Sequence, residues 1–301
     1  MESDNSRCPL CGDRNTEVYL PGSVGDARGE PQAFGSSRSS VAIGDVRRCG
    51  RCGFGFTESR LTEEELSKIY ATLDERVYES EDYGRWITAG RHLRVVHRYK
   101  LPPGRLLDVG CASGRFLSIA AQNGWKVAGV EPSEPFYRRA RLLLADRAEL
   151  LQCTLQEASL KTAPFDVITM WDVLEHVPDP VGLLVLTRSL LKDGGRLFVN
   201  VPNLDSAIAK ALGKHWPMLL PEHLNYFNRK SLRFCAERAG LRTITFGRRS
   251  VSISLDYLFF RLGQHRFPLS LAIRRLLRDS WFAKCTVPVF YGECFAVMTQ
   301  A

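Results

Sequence analysis

From residue 105 onward, short apolar runs alternate with stretches in which apolar positions recur every three or four residues. The runs at 105–109, 126–131, 149–153, 165–170 and 195–201 read as buried strands, and the stretches at 115–123, 134–145 and 180–192 as amphipathic helices between them. Such alternation predicts an α/β fold built on a Rossmann-like, doubly wound parallel sheet. Then the pattern changes. Residues 203–213 and 231–239 read as helices, 241–253 alternate like a strand, and 293–299 are expected to pair with that strand as an antiparallel edge. Ahead of the sheet, T-E-E-E at 62–65 is a capping box for a helix carrying Leu66, Ile69 and Tyr70. A second helical pattern, Trp86, Ile87, Leu93, Val96 and Tyr99, stops at L-P-P-G, residues 101–104. The expected organisation is a small module at 1–60, a helical linker or lid at 61–101, and a main domain at 102–301 with an insertion at 255–289.

Composition leaves this picture intact: of 301 residues, 45% are hydrophobic and 25% charged, as in a globular chain. No run approaches the roughly 20 apolar residues of a spanning helix, and Met1 is followed by Glu2, Ser3, Asp4 and Asn5 in place of a signal region. The expected location is the cytoplasm. Charge does change the picture, because the net +8 is unevenly spread. Residues 203–301 carry 15 basic and 6 acidic groups, whereas the rest of the chain is balanced. A basic region can meet nucleic acid, an anionic membrane or a phosphorylated substrate.

Four of the nine cysteines fall in two C-x-x-C-G knuckles, Cys8-Pro9-Leu10-Cys11-Gly12 and Cys49-Gly50-Arg51-Cys52-Gly53. Two such turns supply the closed tetrahedral thiolate set of structural zinc, so Cys8, Cys11, Cys49 and Cys52 are read as Zn2+ ligands of a zinc ribbon. The alternative is a pair of redox dithiols, but those belong in a βαβ context that residues 1–60 lack. The Gly-, Ser- and Pro-rich residues 21–44 between the knuckles are expected to form a loop.

The first strand of the sheet breaks into a small-residue turn, Asp108-Val109-Gly110-Cys111-Ala112-Ser113-Gly114. Glycines here let the backbone turn sharply and a ligand approach closely, and the following helix presents unpaired N–H groups. The second strand ends on Glu131, a carboxylate able to accept both hydroxyls of a ribose. The fourth opens into W-D-V-L-E-H-V-P-D-P, an acidic loop carrying a histidine.

In this order, L-L-D-V-G-C-A-S-G, G-V-E-P-S, F-D-V-I-T-M-W-D-V-L-E-H-V-P-D-P, L-L-K-D-G-G-R-L and V-P-N resemble the class I S-adenosylmethionine-dependent methyltransferases, in the group containing the ubiquinone-pathway O-methyltransferases. The resemblance covers residues 102–250. It implies that Asp108, Gly110, Ala112 and Gly114 line the methionine side of S-adenosyl-L-methionine, that Glu131 holds the ribose, and that Thr154 and Leu155 neighbour the adenine. Trp171, Asp172 and Leu174 would close the pocket. Many relatives place an acid near position 154, and residues 153–156 contain none.

A general base assists methylation of a hydroxyl or carbon acid. His176 and His223, the latter beside Glu222 in a segment dense in aromatics, are the leading candidates. The competing readings are that His176 caps a helix and His223 bonds backbone. The expected activity is methyl transfer to a hydroxyl, or a carbon, of a small or carrier-linked acceptor. RNA or protein methylation and a non-catalytic cofactor-binding module are the alternatives, and a nicotinamide enzyme is disfavoured because the first turn lacks G-x-G-x-x-G. Within 255–289, Leu269, Ala272, Ile273, Leu276 and Leu277 share a helical face opposite Arg274, Arg275 and Arg278. This segment is read as a pocket cap or dimer contact, with peripheral membrane contact as the sharper alternative and nucleic acid disfavoured.

Overall fold

The computed structural model describes residues 7–22, 44–58, 82–264, 273–275 and 280–301. Most of the loop expected at 21–44, the capping-box helix at 62–70 and most of the amphipathic face at 269–278 lie outside the described residues.

In the N-terminal lobe, β1 (Thr16–Leu20), β2 (Val46–Cys49) and β3 (Gly55–Thr57) form antiparallel pairs around the cysteine knuckles. Helix α1 (Asp82–His97) leads to β4 (Gly104–Val109), α2 (Arg115–Gln122), β5 (Trp125–Val130), α3 (Glu134–Leu144) and β6 (Ala148–Leu151). The chain continues through β7 (Phe165–Trp171), α4 (Pro180–Leu190), β8 (Leu191–Pro202), α5 (Ala207–Leu212), β9 (Asn225–Tyr226) and α6 (Arg229–Arg238). It closes with β10 (Leu241–Gly247), β11 (Val251–Ser254), α7 (Leu255–Gln264), β12 (Thr286–Val289) and β13 (Glu293–Gln300).

The central sheet has seven strands in the order β10-β13-β8-β7-β4-β5-β6. The five inner and distal strands run parallel, and β13 joins β8 and β10 antiparallel. Both faces are covered, which is why the strands read as continuous apolar runs. Leu107, Val109, Ile168 and Met170 pack toward α4 and α6, and Leu106, Val127 and Val167 toward α1, α2 and α3. The chain thus has a mixed α/β, Rossmann-like fold with a C-terminal antiparallel pair.

The cysteine lobe is stitched into this domain. Strand β3 pairs with β9 (Gly55 with Tyr226, Phe56 with Asn225), giving a second sheet ordered β1-β2-β3-β9. Phe54 is fully buried, with its ring centroid 5.1 Å edge-on from that of Phe227, so lobe and domain share one apolar core. Asn228 Nδ2 donates to the Gly53 carbonyl at 3.1 Å and to Asp205 at 2.8 Å. Lys230 donates to the Arg51 carbonyl and Arg238 to that of Leu10.

Three expectations need correction. β13 is not an edge: it lies between β8 and β10, and β10 takes the edge. Residues 241–253 are not one strand, because the alternation breaks at Arg248–Ser250 where Arg249 turns inward. Beyond it β11 leaves the sheet to pair with β12 and rest on α1, with Ser252 N donating to Thr88 Oγ1 at 2.9 Å. The helix expected from 203 begins only at Ala207, since Leu204 N is committed to the Phe227 carbonyl and Ser206 acts as the cap.

Asn228 caps α6 through a capping box with Ser231 as well as bonding the lobe. Asn228→Ala is expected to cost about 1–2 kcal/mol in urea denaturation. Asn228→Ser, which keeps a cap acceptor but loses the donor to Gly53 and Asp205, should lie between it and wild type.

Candidate active site

The carboxyl ends of β4 and β5 adjoin, with Asp108 opposite Gly129 and Val109 opposite Val130. Beyond them the backbone turns through positive φ at Gly110 (69°), Ala112 (45°) and Gly114 (75°) before α2 begins. A side chain at Gly110 would also meet Val173 at 2.8 Å, so this turn and the loop after β7 close on each other.

Asp108 is 2% exposed, and its Oδ1 accepts from Thr169 Oγ1 at 2.5 Å across the β4–β7 pairing. Burial pushes its carboxyl up to about 8, against the pull of Thr169, and the Glu131 charge adds to the rise. Glu131 accepts from Ala112 N at 2.8 Å and from Ser133 N at 2.9 Å, tying together the turns that follow β4 and β5. Burial raises it to about 7, and these two N–H groups limit the rise. Thr154 meets an acid after all. Glu157 folds back to accept from Thr154 N at 2.9 Å and Oγ1 at 2.8 Å, a contact hidden from a reading of 153–156 alone. Leu155 is 3% exposed.

Past β7, Asp172 sits at φ 58° with an exposed surface, yet deep enough in the molecule that burial pushes its carboxyl up to about 6. Asn200 Nδ2 donates to it at 2.6 Å, and the Arg85 charge favours its ionised form. Trp171 lies 3.9 Å from His92, centroid to centroid, and carries Arg249 over its ring at 4.6 Å. Leu174 is fully buried beneath the loop.

Around Trp171 are buried polar atoms without a hydrogen-bond partner: Trp171 Nε1, Arg91 Nη1, Arg249 Nη1, Asn200 Oδ1 and Glu293 Oε2. Folded proteins leave few such atoms, so their gathering at one strand end marks a place built for a polar ligand. Three donors and two acceptors match a zwitterion carrying both an ammonium and a carboxylate. Arg85, Arg91, Asn200, Arg249 and Glu293 were not singled out from sequence. The accessible signal was the run of cations on α1 and at 248–249.

The two histidines come together, their rings 4.7 Å apart and edge to face. His176 Nδ1 pairs with the Glu222 carbonyl at 3.1 Å and His223 Nδ1 with that of Met218 at 2.8 Å. A carbonyl accepts only from N–H, so both Nε2 atoms hold lone pairs. Burial lowers the His176 ring to about 4, and lowers His223 well below its ordinary value with the His176 ring adding. Both are neutral at pH 7. Glu175 is fully buried with neither oxygen bonded, and burial drives its carboxyl well above the usual range. One ring nitrogen of each histidine and one Glu175 oxygen lie within 4.8 Å of one another. Glu222, 5% exposed, supplies its backbone to this arrangement.

The four knuckle thiols also cluster within 4.8 Å, with Cys8 and Cys52 Sγ 3.6 Å apart and Cys11 and Cys49 Sγ 3.5 Å apart. The two turns are alike: Gly12 N donates to Cys8 O at 2.8 Å and Gly53 N to Cys49 O at 2.9 Å.

A seven-stranded sheet of this order, with acids at the ends of its first two parallel strands and a polar cluster at the end of β7, defines a class I S-adenosylmethionine-dependent methyltransferase. The chain belongs to the family described as Methyltransferase domain, which matches residues 83–245. It is 29% identical over 181 residues to the ubiquinone biosynthesis O-methyltransferase of Xanthomonas campestris pv. campestris (strain B100), covering 57% of this chain and 75% of that one. Among solved structures, the YcgJ protein from Bacillus subtilis aligns with a TM-score of 0.50 at 15% identity, over 71% of this chain and 98% of its own. The mitomycin 7-O-methyltransferase MmcR aligns with a TM-score of 0.46 at 17% identity, over 65% of this chain and 49% of its own, so the chain spans about half of that protein.

Asp108 and Glu131 both titrate above the unfolded-chain values of about 3.9 and 4.3. The unfolded chain therefore ionises them first, and their contribution to stability declines from pH 4 until both native values are passed near pH 8. Asp108→Asn, which keeps the Thr169 bond, should stabilise the ligand-free protein at pH 8 by on the order of 1 kcal/mol in urea denaturation. A loss of stability there would mean that desolvation of Asp108 is not the dominant effect.

Proposed function

We propose that this methyltransferase acts on a hydroxyl, with a carbon acid as the alternative, of a small or carrier-linked acceptor. The observation that carries the reading is the pair of neutral histidines, their rings 4.7 Å apart, beside the loop that follows β7. The relatives named as ubiquinone biosynthesis O-methyltransferases support the choice of oxygen.

In this reading Asp108 and the Gly110–Ala112–Gly114 turn hold the methionine side of S-adenosylmethionine. Glu131 takes the ribose hydroxyls, Thr154 and Leu155 flank the adenine, and Trp171 and Asp172 close the amino-acid end with Arg91. The orphaned donors and acceptors around Trp171 fit that zwitterionic end. The cofactor supplies an electrophilic methyl on a sulfonium, open to in-line displacement. Nε2 of His223 or His176 would take the proton that the acceptor hydroxyl gives up as it is methylated. His176→Gln and His223→Gln are expected to lower kcat about 100-fold with affinity for S-adenosylhomocysteine unchanged within about twofold. Because burial holds both rings neutral, wild-type activity should persist without an inflection near pH 6.5. Unchanged kcat in both variants would remove the histidines from this role.

We also propose that Cys8, Cys11, Cys49 and Cys52 hold one structural Zn2+. The fit is geometric: Zn–S bonds of about 2.3 Å in a tetrahedron place sulfurs about 3.8 Å apart, close to the spacings here. Elemental analysis should return one zinc per chain, and Cys52→Ser should lose the metal together with stability.

Among the described residues no helix is long and apolar enough to cross a membrane. The alternative of peripheral contact through 255–289 draws support from Trp281 and Phe282, exposed and stacked at 3.9 Å. If it holds, Trp281→Ser with Phe282→Ser abolishes co-sedimentation with anionic phosphatidylglycerol vesicles. Equal sedimentation of variant and wild type removes it.

A further inference from the structure

A cavity of about 700 Å3 opens between the Cys49–Gly53 knuckle, the starts of α5 and α6, the β10–β11 turn and the start of β13. Its size is that of a small-molecule site. Four cations, Arg48, Arg229, Lys230 and Arg248, line it together with Glu17, Asp205 and Glu293. Arg48 is matched by Asp205, which it meets at 2.9 Å. Among the described residues the other three have no carboxylate within ion-pair distance. Lys230 donates to the Arg51 carbonyl, Arg229 lies 5.8 Å over the Phe246 ring, and Arg248 is exposed.

The acids do not balance this surplus. Glu17 and Asp205 stand with Arg48 at the knuckle side. Glu293 is 5% exposed with Oε2 unbonded, and its carboxyl is held well above the usual range by burial and by the Asp172 charge. Glu293 also interacts electrostatically with Arg249, which lies over Trp171 in the cofactor cleft. One side chain therefore belongs both to the cavity wall and to the polar cluster at the end of β7.

We propose that this cavity binds the methyl acceptor, taking an anionic phosphate or carboxylate group of that molecule on Arg229, Lys230 and Arg248 and turning its hydroxylated end toward Glu293 and the cleft. The assignment rests on the methyltransferase reading and deepens it, naming the acceptor as an acidic small molecule. It also gives the knuckle lobe a part in acceptor choice, since Arg48, Cys49, Gly50 and Gly53 form one side of the site.

Calorimetry on the full-length, zinc-loaded protein saturated with S-adenosylhomocysteine tests this, with inorganic phosphate, pyrophosphate and benzoate as probes. At least one anion should bind alongside S-adenosylhomocysteine, the phosphates identifying a phosphorylated acceptor and benzoate a carboxylated one. Arg229→Gln and Arg248→Gln should each weaken that binding about tenfold, with S-adenosylhomocysteine affinity held within about twofold. Arg248 is exposed on a turn, so its variant decides the matter even if Arg229→Gln fails to fold. The assignment is overturned if none of the three anions binds at up to about 10 mM, if Arg248→Gln binds them as wild type does, or if they bind only in competition with S-adenosylhomocysteine. Failure of S-adenosylhomocysteine itself to bind would instead overturn the methyltransferase reading.

Discussion

Two carboxyl groups at the ends of adjacent parallel strands, both withdrawn from water, set the terms for the rest of this molecule. Desolvating a carboxylate is costly unless the fold supplies partners. The sheet supplies them locally: Thr169 from the neighbouring strand to Asp108, and the N–H groups of Ala112 and Ser133 to Glu131. These contacts fix the conformation of both turns before any ligand arrives. The pairing of β4 with both β5 and β7 makes this possible, and the helices on either face keep water out.

On the other side of β7 the problem is inverted, for there the unsatisfied groups are mostly donors. Arg91, Arg249 and Trp171 gather beside Asp172 and Asn200, each contributed by a different element. Between this cluster and the knuckle lobe runs the 222–228 segment. Leu224 N and Asn225 N bond the Glu175 carbonyl, Asn225 Nδ2 reaches the Leu174 and Val177 carbonyls, and two residues on either side lie His223 and Phe227. The same strand that meets β3 of the lobe thus clamps the loop carrying His176.

How much of this was legible in the sequence depended on how local the information was. The parallel strands declared themselves because burial on both faces makes every residue apolar, and the acids at 108 and 131 stood out against that background. The knuckles were legible because each is closed by hydrogen bonds within five residues. Thr169 was also visible, as a hydroxyl inside an apolar run, but its meaning depends on register with Asp108, which no periodicity reveals. The edge order of the C-terminal strands was misread for the same reason: alternation marks a half-buried strand without saying which neighbours it has. Arg249 and Glu293 are functional candidates only by virtue of meeting in space across a strand and a turn. Glu157 was missed through too narrow a window.

The β3–β9 pairing also bears on the order in which the molecule can assemble. Gly53 and Asn228, joined by a hydrogen bond, are 175 residues apart in the chain. Contacts of such sequence separation carry a loop-closure cost that must be met before they stabilise anything. During synthesis the knuckle lobe emerges before the parallel sheet, yet the fourth strand of its own sheet does not exist until the parallel sheet has been made. The lobe therefore waits on a segment made much later, and until then Phe54 and Phe56 lack the surface that buries them.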